Sequence, residues 1–152
     1  MNKIMKQEQK ELLLKDLSAR LPYGVKFPTT WPDPITSEPI ETTGTISYIN
    51  RYGIVSFVWD YEGVEILVKD SLHIKDIKPY LFPLSSMTEE QQKEYRKACD
   101  LDMEILENRP MKGEPFPALY NSQDWLDAHH FDYRNLIPMG LAIDATGLNI
   151  YD

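Results

Sequence analysis

The stretch Gly44-Thr-Ile-Ser-Tyr-Ile-Asn-Arg-Tyr-Gly-Ile-Val-Ser-Phe-Val-Trp-Asp-Tyr-Glu-Gly-Val-Glu-Ile-Leu-Val-Lys69 decides the fold. Its apolar residues recur with period two. Ile46 and Tyr48 alternate with Thr45 and Ser47; Val55, Phe57 and Trp59 with Ser56 and Asp60; Val64, Ile66 and Val68 with Glu65 and Lys69. Between the runs lie Asn50-Arg51-Tyr52-Gly53 and Asp60-Tyr61-Glu62-Gly63, each ending in the residue that takes positive φ at least cost. The pattern predicts an antiparallel meander of three strands. Its apolar face needs a cover, for which an N-terminal helix and an extra strand near Tyr23 to Phe27 are the candidates.

Upstream, Leu13, Leu14, Leu17 and Leu21 recur at helical spacing, widened by Leu12, and predict a helix over 7–21. Lys10, Glu11, Lys15 and Asp16 fall mostly on its other faces, and Pro22-Tyr23-Gly24 ends it. Residues 28–39 hold Pro28, Pro32, Pro34 and Pro39, a density that forbids a helix or a central strand and reads as a surface loop with short extended pieces around Trp31. Downstream, residues 71–83 read as a brief helical turn, with Asp70 or Ser71 as its cap, stopped before Pro79. A small sheet closed by such a turn is similar in pattern to an SH3-like partial barrel.

The remainder reads as helical. A helix over 86–108 opens with the capping box Thr88-x-x-Gln91, with Glu89 and Glu90 at the positive end of its dipole. Tyr95, Ala98, Leu101, Ile105 and Leu106 lie along one side, and Glu90, Glu94, Glu104 and Glu107 make the outer face acidic. Arg109-Pro110 stops it, and a Pro-rich connector follows over 110–118. A short helix over 121–130, capped by Asn121 or Ser122, precedes a tail that wraps back over the surface. The fold class is therefore α+β: an N-terminal helix, a small antiparallel sheet or SH3-like partial barrel, and a helical C-terminal segment. The length of 152 residues suits one domain, with helix and sheet over about 7–83 and the helical segment over about 86–152.

Composition narrows the function. The chain carries 16 basic and 24 acidic side chains, a net charge of -8. Residues 1–80 hold 10 basic and 11 acidic groups, and residues 81–152 hold 6 and 13, so the second half carries nearly all the negative field. Duplex DNA is disfavoured as a partner, and a protein with a basic surface is favoured. The single cysteine, Cys99, excludes an internal disulfide framework and a cysteine-built zinc site, and mid-helix it reads as a plain buried thiol. No run approaches the about 18–20 apolar residues of a membrane helix, and the N-terminus lacks a secretory signal, so the expected compartment is the cytoplasm. The seven glycines are dispersed singly and form no phosphate-cradling loop, so no cofactor is expected.

The densest chemistry is Trp125-Leu-Asp-Ala-His129-His130-Phe-Asp132-Tyr133-Arg134. Histidine titrates near neutrality, so His129, His130 and Asp132 are the candidates for acid–base or metal-assisted hydrolysis. Adjacent helical histidines point about 100° apart and chelate poorly together, and no H-E-x-x-H spacing occurs. The structural reading of these histidines, at a helix C-terminus favoured by the dipole, outweighs the catalytic one. His73 stands alone and reads as structural. The candidate binding residues are Tyr52, Trp59, Tyr61, Trp125, Tyr133 and Arg134. Tyr52, Trp59 and Tyr61, with Arg51, would stack bases in a single-stranded nucleic-acid binder, but the accompanying basic groove is missing.

Three stretches carry a resemblance: Lys10-Glu-Leu-Leu-Leu-Lys-Asp-Leu-Ser-Ala-Arg-Leu-Pro-Tyr-Gly-Val-Lys26, Ile77-Lys-Pro-Tyr-Leu-Phe-Pro-Leu-Ser-Ser-Met-Thr-Glu-Glu90 and Asp124-Trp-Leu-Asp-Ala-His-His-Phe-Asp-Tyr-Arg-Asn-Leu-Ile-Pro-Met-Gly-Leu-Ala142. In these the chain resembles a family of small proteins without an assigned activity from gut anaerobic bacteria and their phages or prophages. Residues 28–70 look like its variable middle. The resemblance implies a cytoplasmic accessory protein of mobile-element type and assigns no catalytic residue. The leading expectation is a non-enzymatic protein-interaction or regulatory module.

Overall fold

The computed structural model describes residues 5–107 and 121–152. The Pro-rich connector expected over 110–118 and the Arg109-Pro110 stop lie outside the described residues. Helix α1 (Gln7–Arg20) opens with the Lys6 N–H donating to Gln9 Oε1 at 3.1 Å. It passes through a 3₁₀ turn, Leu21–Tyr23, and ends on Gly24 at φ +70°, where a side chain would be strained. Leu13 and Leu17 enter the core as their spacing predicts. Asp16, expected on another face, is fully buried beside them, as is Arg20.

The meander is present as β2 (Pro39–Ile49), β3 (Ile54–Tyr61) and β4 (Val64–His73). It is extended by β1 (Lys26–Pro32), giving an antiparallel sheet in the order β1-β2-β3-β4. Among the described residues the sheet stays open, with β1 and β4 as its two edges. Half of the proline-rich segment expected as loop is thus strand, and the hydrogen-bond alternation explains why. Asp33 N–H donates to Glu38 C=O and Ile46 N–H to Val25 C=O, so residues 25, 27, 29, 31 and 33 face β2. Pro28 and Pro32 occupy the other phase. Their missing N–H groups belong on the free edge, where no ladder bond is lost.

The inner face carries Phe27, Ile46, Val55, Phe57 and Trp59 against Leu13 and Leu17 of α1. Phe27 and Trp31 both meet Phe57 edge to face, at 5.3 and 5.4 Å between centroids. Gly44 makes room for that cluster: a Cβ there would stand 2.9 Å from ring atoms of both Phe27 and Phe57. Replacing Gly44 by alanine is expected to cost about 1–3 kcal/mol by overpacking, read as a lower urea midpoint at unchanged m-value.

After β4 a 3₁₀ turn, Ile74–Asp76, forms where a turn was expected. Its cap is His73, whose Nδ1 accepts from the Lys75 N–H at 3.2 Å, in place of Asp70 or Ser71. Next, β5 (Tyr80–Pro83) becomes the centre of a second sheet, flanked by β6 (Phe131–Asp132) and β7 (Ile143–Asp144), both parallel to it. The tail therefore wraps back as expected, but as two strand pieces. Helix α2 (Glu89–Glu107) starts with the expected capping box: Gln91 N–H donates to Thr88 Oγ1 at 3.1 Å and Thr88 N–H to Gln91 Oε1 at 2.9 Å. Helix α3 (Asn121–Ala128) is capped across space. Asp102 of α2 accepts from the N–H groups of Asn121 and Ser122, both at 3.0 Å, and from the Ser122 hydroxyl at 2.6 Å. These bonds, the Ser122 hydroxyl foremost, hold the Asp102 carboxyl below its ordinary range. Among the described residues no helix is long and apolar enough to cross a membrane.

Candidate functional site

The segment from α3 to β6 divides into a buried polar knot and an outer aromatic stack. The knot begins in α1. Asp16 and Arg20, one helical turn apart, form a two-point ion pair: Arg20 Nε donates to Asp16 Oδ2 at 2.9 Å and Nη2 to Oδ1 at 3.1 Å. Nη2 also donates to the Phe131 carbonyl at 2.6 Å. Arg134 Nη1 reaches Asp16 Oδ1 at 2.8 Å and the Tyr133 hydroxyl at 3.0 Å. That hydroxyl donates to Asp127 Oδ1 at 2.6 Å and accepts from Gln123 Nε2 at 3.2 Å. Burial, reinforced by the bond to Asp127, pushes the Tyr133 phenol up to about 12, and burial raises the Asp127 carboxyl. Tyr133 and Arg134, both candidate binding residues, are thus joined to each other and to α1. The sequence reading missed Asp16, Arg20 and Asp127. Their one available signal was the i, i+4 spacing of Asp16 and Arg20.

The stack is Tyr95 of α2, Trp125 of α3 and His129. Trp125 lies 5.7 Å from Tyr95 and 4.1 Å from His129, near parallel to the latter. On the inner side it meets Phe131 at 5.7 Å and 7°. His129 Nδ1–H donates to the Trp125 carbonyl at 2.8 Å, and Nε2 stands 3.9 Å from Glu94 Oε2. Trp125, a binding candidate, therefore serves as the half-buried joint between α2 and α3.

The candidate acid–base groups are engaged separately. Asp132 Oδ1 accepts from the N–H groups of Arg134 and Leu136 and Oδ2 from Ile137, so the carboxylate organises the turn after β6. His130 is buried at φ +63° and stacks on Tyr151 at 3.5 Å and 11°. The Tyr151 hydroxyl donates to the Tyr80 carbonyl and accepts from the Lys26 N–H. Burial, with Arg20, His129 and Lys26 adding positive charge, pushes the His130 imidazole down to about 4. Among the described residues no group of three or more His, Cys, Asp or Glu is placed to hold a metal ion.

The sheet aromatics expected to stack bases do not share a surface. Trp59 is only 3% exposed and packs in the core, a correction that follows from its facing the same side as Phe57 and Val55. Tyr61 is half-buried on that side, edge to face with Trp59, and its hydroxyl donates to Asp33 Oδ1 at 3.2 Å. Tyr52 projects from the β2–β3 turn, with its hydroxyl accepting from Arg51 Nη2 at 2.7 Å. Two open grooves, of about 550 and 650 Å³, lie on the four-stranded sheet among Thr42, Thr43 and their neighbours, and neither is lined by the 125–134 segment.

Helix α2 leaves several apolar side chains exposed. Of its 19 residues only Ala98 is buried, and Cys99 is half-buried as a free thiol. Leu101, Met103 and Leu106 are exposed, the first two at 51% and 55%. Of the expected apolar side, Tyr95 meets Trp125, Ala98 is buried and Ile105 is half-buried, while Leu101 and Leu106 are left exposed. The helix carries seven acidic residues (Glu89, Glu90, Glu94, Asp100, Asp102, Glu104 and Glu107) against Lys93, Arg96 and Lys97. Comparison with family models, curated proteins and solved structures finds no match to this chain.

Proposed function

We propose that the protein is a non-enzymatic interaction module that uses α2 to bind a partner protein with an apolar centre and a basic rim. The observation that carries this reading is the set of exposed apolar residues, Leu101, Met103 and Leu106, on a strongly acidic helix fixed at its joint with α3. Met103 and Leu106, three residues apart, are neighbours on the helix surface, while Leu101 lies round toward the opposite side, and an exposed apolar pair set among charges is where a partner would dock. The charge sets the partner's sign and the contact's salt response.

The test uses amphipathic helical peptides of equal length, one with a Lys/Leu pattern and one with a Glu/Leu pattern, titrated into the ¹⁵N-labelled full chain. The basic peptide is expected to shift the amides around Leu101 to Leu106, and to bind more weakly as salt rises. The double substitution Met103→Ser/Leu106→Ser is expected to weaken it by about tenfold or more. Equal binding of both peptides, or shifts confined to the sheet, would overturn the reading.

A further inference from the structure

The two edges of the main sheet are treated differently. The β1 edge is closed to pairing by Pro28 and Pro32. The β4 edge carries no proline and, among the described residues, no neighbouring strand. Its backbone phase follows from the turn before it. Glu62 and Gly63, at φ +50° and +85°, form a two-residue loop of the type in which the flanking pair, Tyr61 and Val64, exchanges hydrogen bonds. Ile66 and Val68 then also bond inward, opposite Trp59 and Phe57. The N–H and C=O groups of Glu65 and Leu67 point to the open edge, and Lys69 follows at the start of the bulge. Val64 and Leu67 are 62% and 51% exposed.

The segment Glu65-Ile66-Leu67-Val68-Lys69 is complementary to its own reverse. Set antiparallel to a second copy about Leu67, it places Leu67 opposite Leu67, Ile66 opposite Val68, and Glu65 opposite Lys69 on both sides. Leu67 with Leu67 and Glu65 with Lys69 are then the hydrogen-bonded pairs, which is the phase the free edge offers. Edge strands are commonly guarded by charge, and a guard of one sign would repel a second copy. Here opposite signs stand at equal distances from the centre, so the same charges select one register. From this we infer that β4 pairs with β4 of a second copy, joining two four-stranded sheets across a twofold axis. The register shifts after Val68, where Lys69, Asp70 (φ +47°) and Ser71 stand opposite Ser56, so Lys69 is the last residue the segment can use.

Sedimentation equilibrium of the full chain tests this. The wild type is expected to pass from monomer to dimer between low micromolar and millimolar protein. Lys69→Glu sets Glu65 against a glutamate twice, and Glu65→Lys sets two lysines together twice. Each is expected to weaken dimerisation by about tenfold or more. An equimolar mixture of the two variants regains opposite-sign pairs and is expected to form a heterodimer as tight as the wild-type dimer. Both positions are exposed, and circular dichroism checks that the fold is unchanged. A wild type that stays monomeric at millimolar concentration, single reversals that dimerise as tightly as wild type, or a mixture that does not associate would each overturn the inference.

Discussion

Asp16→Ala is expected to lower the unfolding free energy by about 3–5 kcal/mol, the range for removing one partner of a buried ion pair. Asp16 is the single carboxylate that Arg20 and Arg134 share. Arg20 is fully buried, so it has no route to water when its partner is deleted. The loss has three parts: the two-point bond to Arg20, the bond to Arg134, and the desolvation of a guanidinium left beside Leu17 and Phe131. The measurement is a urea titration read by tryptophan fluorescence, with the m-value checked for two-state behaviour. A loss below about 1 kcal/mol, the ordinary size for a surface substitution or a mild core one, would show that the knot does not hold α1 to the C-terminal segment.

The second large effect is acid lability set by His130. The unfolded imidazole titrates near 6.5, and the folded one is held down to about 4 by burial and by the nearby Arg20, His129 and Lys26 charges. Between these values the unfolded state takes up a proton that the folded state refuses, so stability rises with pH across that window. On acidification from pH 7 to 4, His130 is expected to remove about 2–3 kcal/mol, the loss from this group levelling off below pH 4. Its Nδ1 meets no hydrogen-bond partner among the described residues. His130→Asn suits the positive φ and carries no titrating group. Wild type and variant are compared as unfolding free energy against pH. The wild-type curve is expected to fall more steeply between pH 6.5 and 4, whatever the absolute stability of the variant. Parallel curves would contradict the assignment.

The meander was legible because period two, glycine-closed turns and one buried face agree over 44–69. The start of α2 was legible because Thr88 and Gln91 are the cap itself. The start of β1 was expected near Tyr23 to Phe27, and its run on to Pro32 was hidden by its prolines, since their exclusion applies to both sides of a central strand but only to the inward side of an edge. Asp16 and Arg20 were hidden because charge argues for solvent until a second chain segment supplies partners, and Arg134 and the Phe131 carbonyl lie more than a hundred residues away. β6 and β7 hold two residues each, too few for any period to register. The 125–134 cluster was visible as a concentration of chemistry. Its division between a structural knot and an aromatic joint depends on α1 and α2, which no local pattern reports.

The central position of β5 also sets an order of events. The strands of the meander meet across tight turns and close cheaply. β5 bonds to neighbours that follow two helices later: Phe82 N–H to the His130 carbonyl, Ile143 N–H to the Pro79 carbonyl and Ala145 N–H to the Leu81 carbonyl. Long loop closures slow folding. A chain emerging from the ribosome therefore completes its meander while β5 still waits with both sides bare, and this waiting strand is the point where a crowded nascent chain is most open to wrong pairing.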